Sequence, residues 1–203
     1  MARRADHTRE ELYGLTLEAA RAIVETEGLR GLTARKIADR IGYSPGTIYN
    51  VFDNLDAVIV HMDAWLFDRL YEELDVPGAA GADPEQALKA LARRYMDFVA
   101  AHRNLWEVLF EHRLPEGQQL PDWYPPKLDR LLALIEDAIA PLYGAGDDAG
   151  RARAVRVLWS GVHGIATLAG SGKLSIITAD SAMDLIDDLI ANYVAGVAAR
   201  RAG

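Results

Sequence analysis

The sequence contains no cysteine among its 203 residues. That excludes a disulfide framework, a thiolate zinc site, a cysteine nucleophile and a thiol redox switch. Long apolar runs are also missing. No stretch approaches the ~18 consecutive apolar residues of a spanning helix, and the polar start Met1-Ala2-Arg3-Arg4-Ala5-Asp6-His7 leads into none. A soluble cytoplasmic protein without signal peptide or membrane partner is therefore expected. Alternation of polar and apolar residues at period two is absent, which argues against strands. No internal repeat is visible. The histidines at 7, 61, 102, 112 and 163 have no ligand-pair spacing on one helix face, so no metal site is expected. Gly170-Ser171-Gly172-Lys173 is no phosphate loop, because Thr167 stands where the first glycine belongs and Leu174 follows the lysine. With no nucleophile–base pattern and no cofactor motif, an enzyme is not expected.

What is present suits a folded chain of one or two domains: half of the residues are hydrophobic and 26% are charged. The net charge of −8 opposes phosphate binding at first reading. Its distribution removes the objection. Residues 1–53 carry eight basic and eight acidic side chains, so residues 54–203 hold the whole negative excess. From Gly28 to Phe52 the bases Arg30, Arg35, Lys36 and Arg40 face Asp39 alone. A small basic island sits in an acidic chain.

Apolar residues recur at spacings of three and four throughout, which predicts an all-α protein of about nine helices. Thr8-Arg9-Glu10-Glu11 is a capping box, and the helix behind it directs Leu12, Leu17, Ala20, Ile23 and Val24 inward until Gly28. A short helix follows Thr33, with Ile37, Ala38 and Ile41 apolar, and ends at Gly42. Ser44 is expected to cap another, with Pro45 in its first position. Asp53 or Asn54 caps a longer helix holding Val58, Ile59, Met62, Trp65, Leu66, Leu70 and Leu74. Pro77 to Asp83 reads as a loop. Further helices are expected from Asp83 past Val99, over Leu105–Phe110, over Lys127–Leu142, from Asp147 to about Ala169, and from Thr178 or Asp180 onward. Leu114 to Pro126, with four prolines and one glycine, reads as a loop, and Gly144-Ala145-Gly146 as a break.

The stretch Thr33 to Phe52 carries the functional signal. Two short helices joined by Gly42-Tyr43-Ser44 have the form of a helix-turn-helix, whose second helix is short enough to enter a major groove. Gly42 permits the sharp turn. Ser44 and the start of the second helix suit a phosphate. Thr47, Tyr49 and Asn50 are hydrogen-bonding groups suited to phosphates and base edges, while Ile48 and Phe52 fall on the opposite, inward face. Arg35, Lys36 and Arg40 form a positive flank.

Together with Leu17–Gly28 and Gly31-Leu32-Thr33, this pattern resembles the N-terminal domain of the TetR family of one-component bacterial regulators. The match covers residues 8 to about 60. The resemblance implies a three-helix DNA-binding domain over 1–54, then a helical bundle over 55–203 for ligand binding and dimerisation. It places Thr33, Arg35, Ser44, Gly46, Thr47, Tyr49 and Asn50 at the DNA, and Lys36 of the positive flank and Pro45 are expected beside them. It also implies a dimer that binds a palindromic operator in double-stranded DNA as a repressor, released by a small molecule. Many family members carry a lysine shortly after the phenylalanine, where it meets phosphate; here Leu55 holds that place between Asp53 and Asp56. A shallower salt dependence is expected. The alternative is a helical ligand-binding protein or enzyme without DNA binding.

Leu158-Trp159-Ser160-Gly161-Val162-His163-Gly164 resembles the Trp-His-Gly signature of one C-terminal subgroup of the family. The family dimerises through its last two helices. Small residues at Ser160, Gly161, Gly164 and Ala169, and at Ala195, Gly196 and Ala199, suit a close partner backbone there. Aromatics concentrate in the middle of the chain. Trp65, Tyr95, Phe98, Trp106, Phe110, Trp123, Tyr124 and Trp159 read singly as core, and as a group as the lining of an apolar ligand site with His163 or Tyr95 as polar anchor.

Overall fold

A computed structural model describes residues 7–75, 83–144 and 146–202. The expectations for Arg3 and Arg4, for the loop over 77–82 and for Ala145 lie outside the described residues. Among the described residues there are ten α-helices, two short 3-10 segments and no strand. No helix among them is long and apolar enough to cross a membrane, and no group of three metal-ligating side chains occurs. The chain forms two compact units, and the division runs through a helix. One unit holds residues up to Leu66 together with His102–Tyr124; the other holds Phe67–Ala101 and Pro125 onward.

The first unit starts with α1 (Arg9–Glu27). Its capping box is complete: the Glu11 N–H donates to Thr8 Oγ1 at 3.2 Å and the Thr8 N–H donates to Glu11 Oε2 at 2.7 Å. Leu17, Ala20, Ile23 and Val24 are buried. A 3-10 turn at Leu29–Gly31 leads to α2 (Ala34–Ile41) and α3 (Pro45–Tyr49). The helix α4 (Leu55–Leu74) is capped by Asn54, whose Oδ1 accepts the Ala57 N–H at 2.7 Å. The helix α6 (Arg103–Glu111), which follows α5 (Pro84–Ala101), packs on α1 within this unit. Asn104 Nδ2 donates to the Glu25 carbonyl at 2.6 Å, and His112 Nε2 lies 2.8 Å from Asp56 Oδ1. The two ends of α6 are thereby tied to α1 and to the start of α4.

The second unit comprises the rest of α4, α5, α7 (Pro125–Ile139), α8 (Asp148–Gly170), α9 (Leu174–Ile177) and α10 (Ala182–Ala202). Its core joins Leu88 and Ala92 of α5, Ile139 of α7, Ala154, Val155 and Leu158 of α8, and Ile186 and Ile190 of α10. Full burial of each large aliphatic side chain contributes about 1.5–3 kcal/mol.

Three boundaries differ from expectation. The helix expected over Lys127–Leu142 begins at Pro125, because prolines are tolerated in a first turn where the N–H has no partner. It stops at Ile139, since Pro141 lacks the N–H a helix interior needs, and a 3-10 turn over Ala140–Leu142 follows. The last helix starts at Ala182, later than Thr178 or Asp180. Ser181 and Asp184 form the reciprocal cap: the Asp184 N–H donates to Ser181 Oγ at 3.1 Å and the Ser181 N–H to Asp184 Oδ2 at 3.2 Å. The four-residue α9 has no counterpart in the expected helices; it buries Leu174 and leaves Ile176 and Ile177 at 80% and 70% exposure. Gly161 serves the chain's own packing: a Cβ there would meet Leu189 Cδ2 of α10 at 2.6 Å, while one at Gly164 would meet nothing.

Candidate nucleic-acid interface

The turn between α2 and α3 is built from three residues. Gly42 closes α2 in the left-handed region (φ 77°), which few other residues adopt cheaply, and Tyr43 returns an N–H to the Ala38 carbonyl at 2.9 Å. Ser44 is extended and redirects the chain into α3. At the other end of α2, Thr33 Oγ1 accepts the Lys36 N–H at 3.2 Å, so Thr33 is a helix cap as well as a candidate contact.

Ser44 differs from its expected capping role. It holds the cap position, but its side chain accepts no backbone N–H of α3; its hydroxyl lies 3.1 Å from the Thr47 hydroxyl. With Pro45 lacking an N–H, the local polar partner of Ser44 is a side chain. Ile48 and Phe52 are 1% and 3% exposed and seat α3 on the unit's core. Thr33, Arg35, Lys36, Ser44, Pro45, Gly46, Tyr49 and Asn50 are exposed and Thr47 is half-buried. Tyr49, half exposed, is a large side chain held outward by a five-residue helix.

The basic flank is already engaged. Lys36 pairs with Glu27 at the end of α1, and Arg35 lies 3.9 Å from Asp39. These exposed pairs are weak and exchangeable. At the start of α4, Asp56 faces His112, and Leu55 is the first helical residue. The Ala57 N–H at this helix start is taken by Asn54.

Residues 17–62 match the family described as bacterial regulatory proteins, tetR family. Residues 88–193 match the tetracyclin repressor-like C-terminal domain, which spans half of the chain. The chain belongs to the TetR family. Comparison with curated proteins returns no match. Among solved structures, a protein of unknown function from Rhodococcus sp. RHA1 is similar at 23% identity and TM-score 0.74, over 97% of this chain and 100% of that one. A TetR regulator from Streptomyces coelicolor is similar at 18% identity and TM-score 0.67, over 95% and 98%. FadR from Bacillus subtilis, in complex with stearoyl-CoA, is similar at 17% identity and TM-score 0.63, over 91% and 98%. At these identities the likeness is one of fold. Family membership makes this TetR-family chain a DNA-binding transcriptional regulator.

The aromatic residues proposed for a ligand fall in both units. In the second unit, the Tyr95 hydroxyl lies 2.8 Å from His163 Nδ1, and the Trp159 ring is parallel to the imidazole at 5.1 Å. Tyr95 and Phe98 are buried. Burial lowers the pKa of His163, which favours the neutral ring. In the first unit, Arg21 lies over the Trp65 ring at 4.1 Å, and buried Trp106 meets Phe110 at 5.5 Å. Trp123 stacks on His61 at 4.7 Å. Phe110 and Trp123 are 47% and 38% exposed. Sequence reasoning passed over Tyr13, His61, His112 and Asn104, whose partners are far away in the chain and leave no periodic signal.

Proposed function

We propose that the protein is a homodimeric repressor that binds a palindromic operator and is released by a small molecule. Residues 1–54 act as the DNA-binding domain and residues 55–203 as the ligand-binding and dimerisation domain. The observation that carries the DNA reading is α3: Ile48 and Phe52 hold it down, while Tyr49 and Asn50 stand exposed beside Ser44 and Thr47. Two such helices about one turn of DNA apart would read the halves of a palindrome. Arg35 and Lys36 would exchange their acidic partners for phosphates, with Thr33, Pro45 and Gly46 completing the contact face.

Dimerisation is assigned to α8 and α10, the last two long helices, where Ser160, Ala195 and Ala199 are exposed small residues. The ligand reading rests on Tyr95, Phe98, Trp159 and His163, with Trp65, Trp106, Phe110 and Trp123 as further aromatic candidates. A neutral His163 held by Tyr95 beside an indole suits an apolar or aromatic molecule with a single polar group. The long acyl chain in the FadR complex supports apolar ligand chemistry on this fold. Release follows only if the ligand favours a spacing of the two DNA-binding domains that does not fit the operator.

A mobility shift with the DNA beside the protein's own gene tests this reading. A shifted band that saturating ligand abolishes is the expected result. No binding to that DNA or to any palindrome favours a helical ligand-binding protein or enzyme without DNA binding.

A further inference from the structure

We propose that the segment 112–124, which connects α6 to α7, belongs to the DNA-reading apparatus, with Trp123 as a positioning residue for α3. This rests on the reading of α3 as the recognition helix and extends it to a residue far away in sequence.

The segment grips the first turns of α4 at successive points. His112 Nε2 meets Asp56 Oδ1 at 2.8 Å. The Trp123 indole stacks on His61 at 4.7 Å with 26° between the planes. Tyr124, 9% exposed, has its pKa pushed up by burial and, after that, by the nearby carboxyl of buried Asp63. Asp56 to Asp63 spans roughly 10 Å of helix axis at 1.5 Å per residue. What the sequence presents as a proline-containing loop is a strap along α4.

The Trp123 end of the strap reaches the recognition helix. His61 meets Phe52 edge-on at 5.5 Å and lies 2.9 Å, through Nδ1, from the Tyr13 hydroxyl. Tyr13 in turn stacks on Phe52 at 5.1 Å with 19° between planes. Phe52, 3% exposed, follows α3 and shares its buried side with Ile48. The path Trp123–His61–Phe52 is therefore continuous ring contact from the strap to the base of α3. Aromatic pairs prefer particular offsets and tilts, so the stack fixes orientation as well as distance. Trp123 is itself 38% exposed, so its loss opens little core volume. Its effect falls on where His61 and Phe52 sit.

Two duplexes test the proposal with the full-length chain: one recovered by the wild type from a random pool, and a random-sequence duplex of equal length. Trp123→Ala is expected to lose about tenfold in affinity for the recovered duplex and less than about twofold for the random one, the scale of a broken contact pair. Trp123→Phe, which keeps a ring, restores most of the loss. Trp123→Leu keeps apolar bulk without the stack and carries the same expectation as Trp123→Ala should that variant melt below the assay temperature. Unchanged affinity, an equal loss on both duplexes, or no rescue by Trp123→Phe overturns the positioning role. If the wild type enriches no duplex, the reading of α3 fails first and the positioning role falls with it.

Discussion

Lys36 of α2 is held by Glu27, the last residue of α1, so a cation that we propose meets DNA is paired within the free protein. Both side chains are about half exposed, so the pair contributes at most about 1 kcal/mol and yields readily to a phosphate. Glu27→Gln is expected to raise operator affinity a few-fold, because no ion pair has to be broken, and Lys36→Gln to make the dependence of log K on log salt shallower by about one unit. Titrations at several salt concentrations read both. An unchanged slope in Lys36→Gln means that Lys36 meets no phosphate.

Tyr49 stands half exposed on α3 and contributes nothing to the core, whereas Ile48 beside it is buried. Tyr49→Ala is expected to weaken operator binding by about 1–3 kcal/mol, the range of a good base-edge contact, with a melting temperature close to that of the wild type. Fluorescence anisotropy with labelled operator and a thermal melt check the two halves of this expectation.

The helix-turn-helix was legible in the sequence because its determinants are local. Thr33, Gly42 and Pro45 fix the ends of α2 and α3, and Ile37, Ala38 and Ile48 mark the inward faces. The all-helical class was legible for the same reason, through period-3.6 patterning. The strap over 112–124 was not, because its hold on α4 depends on His61 and Asp56, partners with no fixed spacing from Trp123 or His112. The pairing of Lys36 with Glu27 was hidden likewise: composition shows a basic island, but only the folded chain brings the end of α1 beside α2. The space that a small Gly161 suggests for a partner backbone is occupied by Leu189 of the same chain.

Asp63 is 5% exposed on α4, and burial pushes its pKa up to about 8. In the folded protein it keeps a proton that the unfolded chain has already released above its ordinary value of 3.8. Stability from this group therefore falls as pH rises from about 4 to about 8, by up to about 1.4 kcal/mol per pH unit. Asp63→Asn is expected to remove that slope and to raise the melting temperature at pH 7.5 by several degrees. Melts across pH 5–8.5 measure it; a variant less stable than wild type at pH 8 means the carboxylate is satisfied when charged.

Gly161 lets α8 approach α10 closely. Gly161→Ala is expected to turn the end of the half-buried Leu189 side chain aside, a rotamer cost of about 1 kcal/mol that offsets the gain in helix propensity. Leu189→Ala in the same chain relieves the clash. Denaturant melts of the two single variants and the double variant show the relief as non-additivity. A stabilised Gly161→Ala protein would mean that Leu189 moves aside freely.

Selection of duplexes from a random pool by the full-length protein, followed by sequencing, tests most directly whether this chain is a dimeric operator-binding regulator. The expected result is one enriched inverted repeat with half-sites about one helical turn apart, lost when Tyr49 and Asn50 are both replaced by alanine. A pool without enrichment, or an enrichment that survives those two substitutions, contradicts it.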